Sequence, residues 1–129
     1  MKKELDRTTG LIIAGEIDVH KTLGPGLLES AYEACLAYEL VERGMAIERQ
    51  KLLPVTYRGV HVDCGYRLDL LVDKTVVVEL KAVDSVMPIH KAHLLSYLKL
   101  SGCKVGLLIN FNVRLLKDGI DRIVNNLPE

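Results

Sequence analysis

The chain has 129 residues, of which 49% are hydrophobic and 26% charged, with 17 basic and 17 acidic side chains giving a formal net charge of zero. That length fits a single domain over residues 1–129 with one hydrophobic core, spanning about residues 11–125. Zero net charge argues against a protein built to coat nucleic acid, although it leaves room for a local basic groove. No apolar run approaches the ~20 residues needed to cross a bilayer, so no membrane partner is expected.

The first residues, Met1 to Asp6, are not followed by the apolar stretch of a signal peptide, and no secretion is expected. Cys35, Cys64 and Cys103 lie far apart and show no CxxC spacing, which fits reduced thiols in a cytoplasmic protein. Residues 9–22 read as a helix, with Leu11, Ile12, Ala14, Ile17 and Val19 as its apolar surface. Gly24-Pro25-Gly26 breaks it. A second helix is predicted over about 27–43 and stops at Gly44. Short strands follow over 47–57, interrupted by Pro54, and over 60–62, with turns at Gly59 and near Gly65. Stronger strands cover 67–72 and 76–82. Pro88 opens a third helix, which Gly102 closes. Residues 105–111 form a buried strand, and a short helix over about 117–125 ends the chain. The fold class is α/β: a mixed β-sheet flanked by helices.

The candidate site lies in the two strong strands. Their interiors carry Asp69, Glu79 and Lys81 within apolar, β-rich surroundings, apart from Arg67 at one edge. Strand alternation puts Glu79 and Lys81 on one face. Pairing Leu68 with Leu80, Leu70 with Val78 and Val72 with Val76 places all six on the opposite face and sets Asp69 across from Glu79, with a turn of residues 73–75. Facing carboxylates repel unless a cation or proton lies between them. Oxygen ligands of this kind suit Mg²⁺ or Mn²⁺, and Lys81 is placed to act on water or on transition-state charge. A solvated Asp–Lys–Glu ion cluster without metal explains the same pattern.

Glu29 falls on the helix side that carries Tyr32, Leu36 and Leu40, and a carboxylate aimed inward needs a partner. As an acid in a first helical turn it also has a dipole explanation. His90, His93 and Tyr97 share one side of the third helix. His-x-x-His is a possible transition-metal pair, although it lacks a third ligand at suitable spacing. His20 reads as a capping or packing residue, and Tyr32 and Tyr38 as packing residues with polar tips. No P-loop, dinucleotide or serine-hydrolase motif is present.

Gly26-Leu27-Leu28-Glu29-Ser30-Ala31-Tyr32 matches a Gly-x-x-Glu-x-x-Tyr signature, and the chain resembles the GxxExxY proteins, which are assigned to the PD-(D/E)xK nuclease-like superfamily. The resemblance continues through Asp69, through Glu79-Leu80-Lys81, and through residues 95–102 and 106–111. It implies a restriction-endonuclease-like core in which Asp69, Glu79 and Lys81 are catalytic, Asp69 and Glu79 hold the metal, and Glu29 completes the ligand set. His93, Tyr97 and Tyr32 are the implied accessory residues. Similar family members carry Gln in place of His93, and that Gln with Tyr97 four residues later serves the site in related exonuclease branches. Histidine keeps hydrogen-bonding and metal-binding capacity, but with a pH-dependent charge.

The expected function is therefore Mg²⁺- or Mn²⁺-dependent hydrolysis of phosphodiesters in DNA or RNA. The alternative is a catalytically inactive nuclease-like module that binds nucleic acid or a protein partner, and a third reading is a transition-metal protein using His90 and His93. A chain this short offers limited surface to a duplex, which favours a homodimer or a larger partner.

Overall fold

The computed structural model describes residues 1–127. Helix α1 (Lys2–Leu23) leads into α2 (Glu29–Glu42). Strands β1 (Ile47–Leu52), β2 (Val55–Tyr57), β3 (Val60–Val62), β4 (Arg67–Val72) and β5 (Val76–Lys81) follow, then α3 (Pro88–Ser101), β6 (Val105–Asn110) and β7 (Ile120–Val124). Five strands form one sheet in the order β1-β4-β5-β6-β7, and β2 and β3 form a separate hairpin. Only β5 and β6 are parallel, joined through α3, and the other neighbours in the sheet are antiparallel. This is the mixed sheet with flanking helices that the hydrophobic pattern predicts.

Both sheet faces are covered. Leu70, Val72, Val76, Val78 and Leu80 pack with α1 and α2, alongside Ile12, Val19, Leu36 and Leu40. Leu71, Val77 and Leu108 pack with Leu94 and Leu98 of α3. Such two-sided burial explains why β5 and β6 read as nearly continuous apolar runs. The helices α1 and α2 approach closely at Gly15, where an added Cβ would sit 2.8 Å from Leu40 Cδ2.

The structure corrects the sequence reading in three places. Helix α1 starts at Lys2 rather than near residue 9, because Leu5 is buried on the same stripe as Ile12 and Val19. The predicted C-terminal helix is a short 3-10 turn (Leu116–Gly119) followed by strand β7. Its Ile120, Ile123 and Val124 suit a strand, and β7 pairs with β6, closing that side of it. The third correction concerns Leu68. The predicted pairs Leu70–Val78 and Val72–Val76 form, but Leu68 joins the α3-side cluster instead of sharing a face with Leu70. Its cause lies at Asp69 and across from it. Gln50 adopts φ 49, and the β1–β4 ladder skips the Gln50–Asp69 position while continuing at Arg49–Leu70 and Lys51–Leu68. One irregular position in each strand reverses the facing of the residues beyond it.

Candidate metal centre

The same irregularity builds the site. In place of a regular rung, the Asp69 main-chain N–H donates to Glu79 Oε2 at 2.8 Å, and the Leu80 N–H donates to Asp69 Oδ2 at 2.8 Å. Each carboxylate is thus fixed by the other strand's backbone, which brings the two acids together at the break in the ladder. Glu79 is only 8% exposed. Burial, and next the neighbouring Asp69 charge, push its carboxyl up to about 8, while the Asp69 main-chain hydrogen bond and the Lys81 ammonium oppose the rise without cancelling it. Without a cation the Asp69–Glu79 pair therefore keeps a proton at neutral pH. Lys81 follows Glu79 by two residues on β5 and is half-buried, with its ammonium close enough to Glu79 to oppose the rise of that carboxyl.

Two further side groups border the pair. Tyr97 of α3 packs against the α3-side core. Its phenol is raised above its ordinary value by burial first, then by Glu79, Tyr66 and Asp69. On the opposite side stands Glu33 of α2, which is 8% exposed. The Gln50 amide donates to Glu33 Oε1 at 2.5 Å and to Asp69 Oδ1 at 3.3 Å, bridging the two carboxylates. Arg49 holds the other Glu33 oxygen through Nε at 3.2 Å and Nη2 at 3.1 Å.

The five-stranded mixed sheet flanked by helices is the part of this architecture on which a family comparison bears. The model describing the PD-(D/E)XK nuclease superfamily matches residues 6–123. The chain belongs to the PD-(D/E)XK nuclease superfamily. Comparisons with curated proteins and with solved structures return no match.

Members of the PD-(D/E)XK superfamily generally use divalent metals, and the residues present fit such an ion. Asp69 and Glu79 are two hard oxygen donors held side by side, and the proton retained by the pair marks a place short of positive charge. Among the described residues no group of three His, Cys, Asp or Glu side chains converges at ligating positions. Mg²⁺ does not require one, because it is commonly held by one or two carboxylates together with water and substrate phosphate.

Several expected residues lie elsewhere. Glu29 is exposed in the first turn of α2, and the acid linked to Asp69 is Glu33, one turn further along. Tyr32 is not at the site: it is fully buried, stacks on Phe111 at 4.4 Å, donates its hydroxyl to Gly24 O at 2.6 Å and accepts from the Leu27 N–H at 3.1 Å. Those bonds fasten the α1–α2 turn to the core. His93 is exposed one turn before Tyr97. His90 caps α3, with its Nδ1 accepting from the Met87 N–H at 2.9 Å. His20 packs as expected, within 2.8 Å of Val113 O.

Glu33 and Gln50 escaped sequence reasoning. A signal for Glu33 existed: it precedes Ala37 and Leu40 at helical spacing, on a buried side, and lies beyond the first-turn position that accounts for Glu29. Nothing local marks Gln50, whose role depends on its φ and on strand pairing.

Proposed function

We propose that this protein is a divalent-metal-dependent phosphodiesterase acting on DNA or RNA. The observation that carries the reading is the reciprocal bonding of Asp69 and Glu79 across the β4–β5 break, with Lys81 on the same strand as Glu79. Asp69 and Glu79 hold the ion. A bound Mg²⁺ or Mn²⁺ would supply Lewis-acid polarisation of a phosphoryl oxygen and a lowered pKa for an attacking water. Lys81 orients that water and offsets the negative charge that grows on the phosphate. Glu33, one turn beyond Glu29, lines the α2 side as a carboxylate already held by Arg49 and Gln50. Gln50 fixes the relative placement of Glu33 and Asp69 and neutralises neither.

The test is cleavage of labelled single- and double-stranded DNA and RNA across a metal series, with wild type, Asp69→Asn and Lys81→Ala in parallel. Wild type is expected to cut only with a divalent ion present. Asp69→Asn is expected to lose activity because a neutral amide offers the ion no charge. Lys81→Ala is expected to fall by about 10²–10³-fold, the scale for removing one charge-stabilising donor. Equal trace activity in wild type and Asp69→Asn would identify a contaminant, and absence of both metal binding and cleavage would leave the binding-module reading in its place.

A further inference from the structure

Tyr66 and Tyr97 form an aromatic pair beside the acids, with ring centroids 5.9 Å apart and planes inclined by 50°. Tyr66 immediately precedes β4, and Tyr97 comes from the helix that covers the same sheet face. Tyr97 is half-buried against the core and lies in the field of Glu79 and Asp69. Tyr66 differs. It is 45% exposed, and among the described residues it is its carbonyl, not its hydroxyl, that is hydrogen-bonded, accepting from the Leu53 N–H at 2.9 Å and from Arg67 Nη1 at 3.1 Å. Core packing accounts for a tyrosine such as Tyr32, which is fully buried, but it does not account for this ring. An aromatic ring in tilted contact with Tyr97 on one side and nearly half open to solvent fits a π-face ligand. The guanidinium of Arg67, on the next residue, is partly exposed but lies 3.9 Å from the Asp63 carboxylate and donates to the Tyr66 carbonyl, so it is the ring, not free positive charge, that would hold a ligand here.

We propose that Tyr66, braced by Tyr97, is a stacking platform for an unpaired nucleobase, so that the site accepts a single strand or a frayed strand end in preference to an intact duplex. The inference rests on the phosphodiesterase reading above. In a duplex each base already stacks on both neighbours, and offering a face to Tyr66 requires unstacking it. A single strand presents that face at little cost. The chemistry is shared by DNA and RNA strands, and both belong in the test.

The experiment measures binding of fluorescent single-stranded DNA, single-stranded RNA and blunt duplex to wild type, Tyr66→Ala and Tyr66→Phe. Fluorescence anisotropy in Ca²⁺ buffer reads affinity, with cleavage in Mg²⁺ or Mn²⁺ followed separately. Strands carrying 2-aminopurine at successive positions report stacking, and strands abasic at the quenched position remove it. Wild type is expected to prefer the single strand and to quench 2-aminopurine at one position. Tyr66→Ala should bind about five- to a hundred-fold more weakly, Tyr66→Phe should restore affinity, and the abasic strand should weaken wild type but not Tyr66→Ala. Unchanged affinity in Tyr66→Ala, indifference of wild type to the abasic position, or preference for blunt duplex would overturn the stacking role. If those results came with normal metal-dependent cleavage, the phosphodiesterase reading would survive. Failure of wild type to bind or cut any strand would overturn both.

Discussion

Glu16 sits in the middle of α1 with no exposed surface, and neither of its carboxyl oxygens has a hydrogen-bond partner among the described residues. Burial alone raises its carboxyl well above the ordinary value, so the folded protein keeps this proton where the unfolded chain would release it. The sign follows from proton linkage: the stability tied to Glu16 is complete below the ordinary carboxylate range and is lost as pH rises above it toward the folded-state value. Glu79, raised to about 8, contributes in the same direction. Glu16→Leu removes the unpaired polar group at similar volume. It should raise stability by about 1–3 kcal/mol at alkaline pH, raise it less at acid pH, and flatten the pH profile without abolishing the slope due to Glu79. Thermal unfolding of both proteins across pH checks this, and an unchanged slope would contradict it. Glu16 is a structural cost on the α1 side of the sheet, the face opposite α3.

At the scale of elements, strand pairing departs from the regular ladder at Asp69, and the turn before β7 departs from the helix expected there. At Asp69 the ladder gives way to bonds between side chains and main chain. This was half legible in the sequence. The apolar parity of Leu70, Val72, Val76 and Val78 fixes their register and brings Asp69 to Glu79, because alternation is a local property. The facing of Leu68 was not legible, because it depends on Gln50 in the neighbouring strand and on the hydrogen bond from Leu80 to Asp69. Glu29 and Glu33 share a helix side, so spacing alone does not choose between them; the choice is made by Arg49 and Gln50 of β1. At the C-terminal end, residues that read as helical by composition form a short turn, Leu116–Gly119, and then strand β7, which pairs regularly with the edge that β6 offers. There the Asn110 carbonyl lies 2.2 Å from where a Cβ on Gly119 would stand. Relief would require backbone movement rather than a side-chain shift. Gly119→Ala should therefore destabilise the protein by about 1–3 kcal/mol, read as a lowered Tm, whereas a neutral effect would show that the β6–β7 junction yields easily.

Taken as a whole molecule, the sheet holds one interruption in the β1–β4 ladder between layers of helix. Two helices cover one face and one covers the other, so the strands that carry Asp69, Glu79 and Lys81 are held by burial on both sides. Membership of the PD-(D/E)XK nuclease superfamily places the fold, but activity belongs to the site rather than to the fold. The central claim is that Asp69 and Glu79 form a seat for a hard divalent cation, and that seat is protonated when empty. A calorimetric titration with Mn²⁺, run in buffers of different ionisation enthalpy from about pH 6 to about pH 9, tests it most directly. Wild type is expected to bind the ion with proton release, and affinity should climb with pH until the Glu79 proton is gone, near 8. Lys81→Ala should still bind, and Asp69→Asn should not. Binding that is independent of pH, or equal in wild type and Asp69→Asn, would contradict the account.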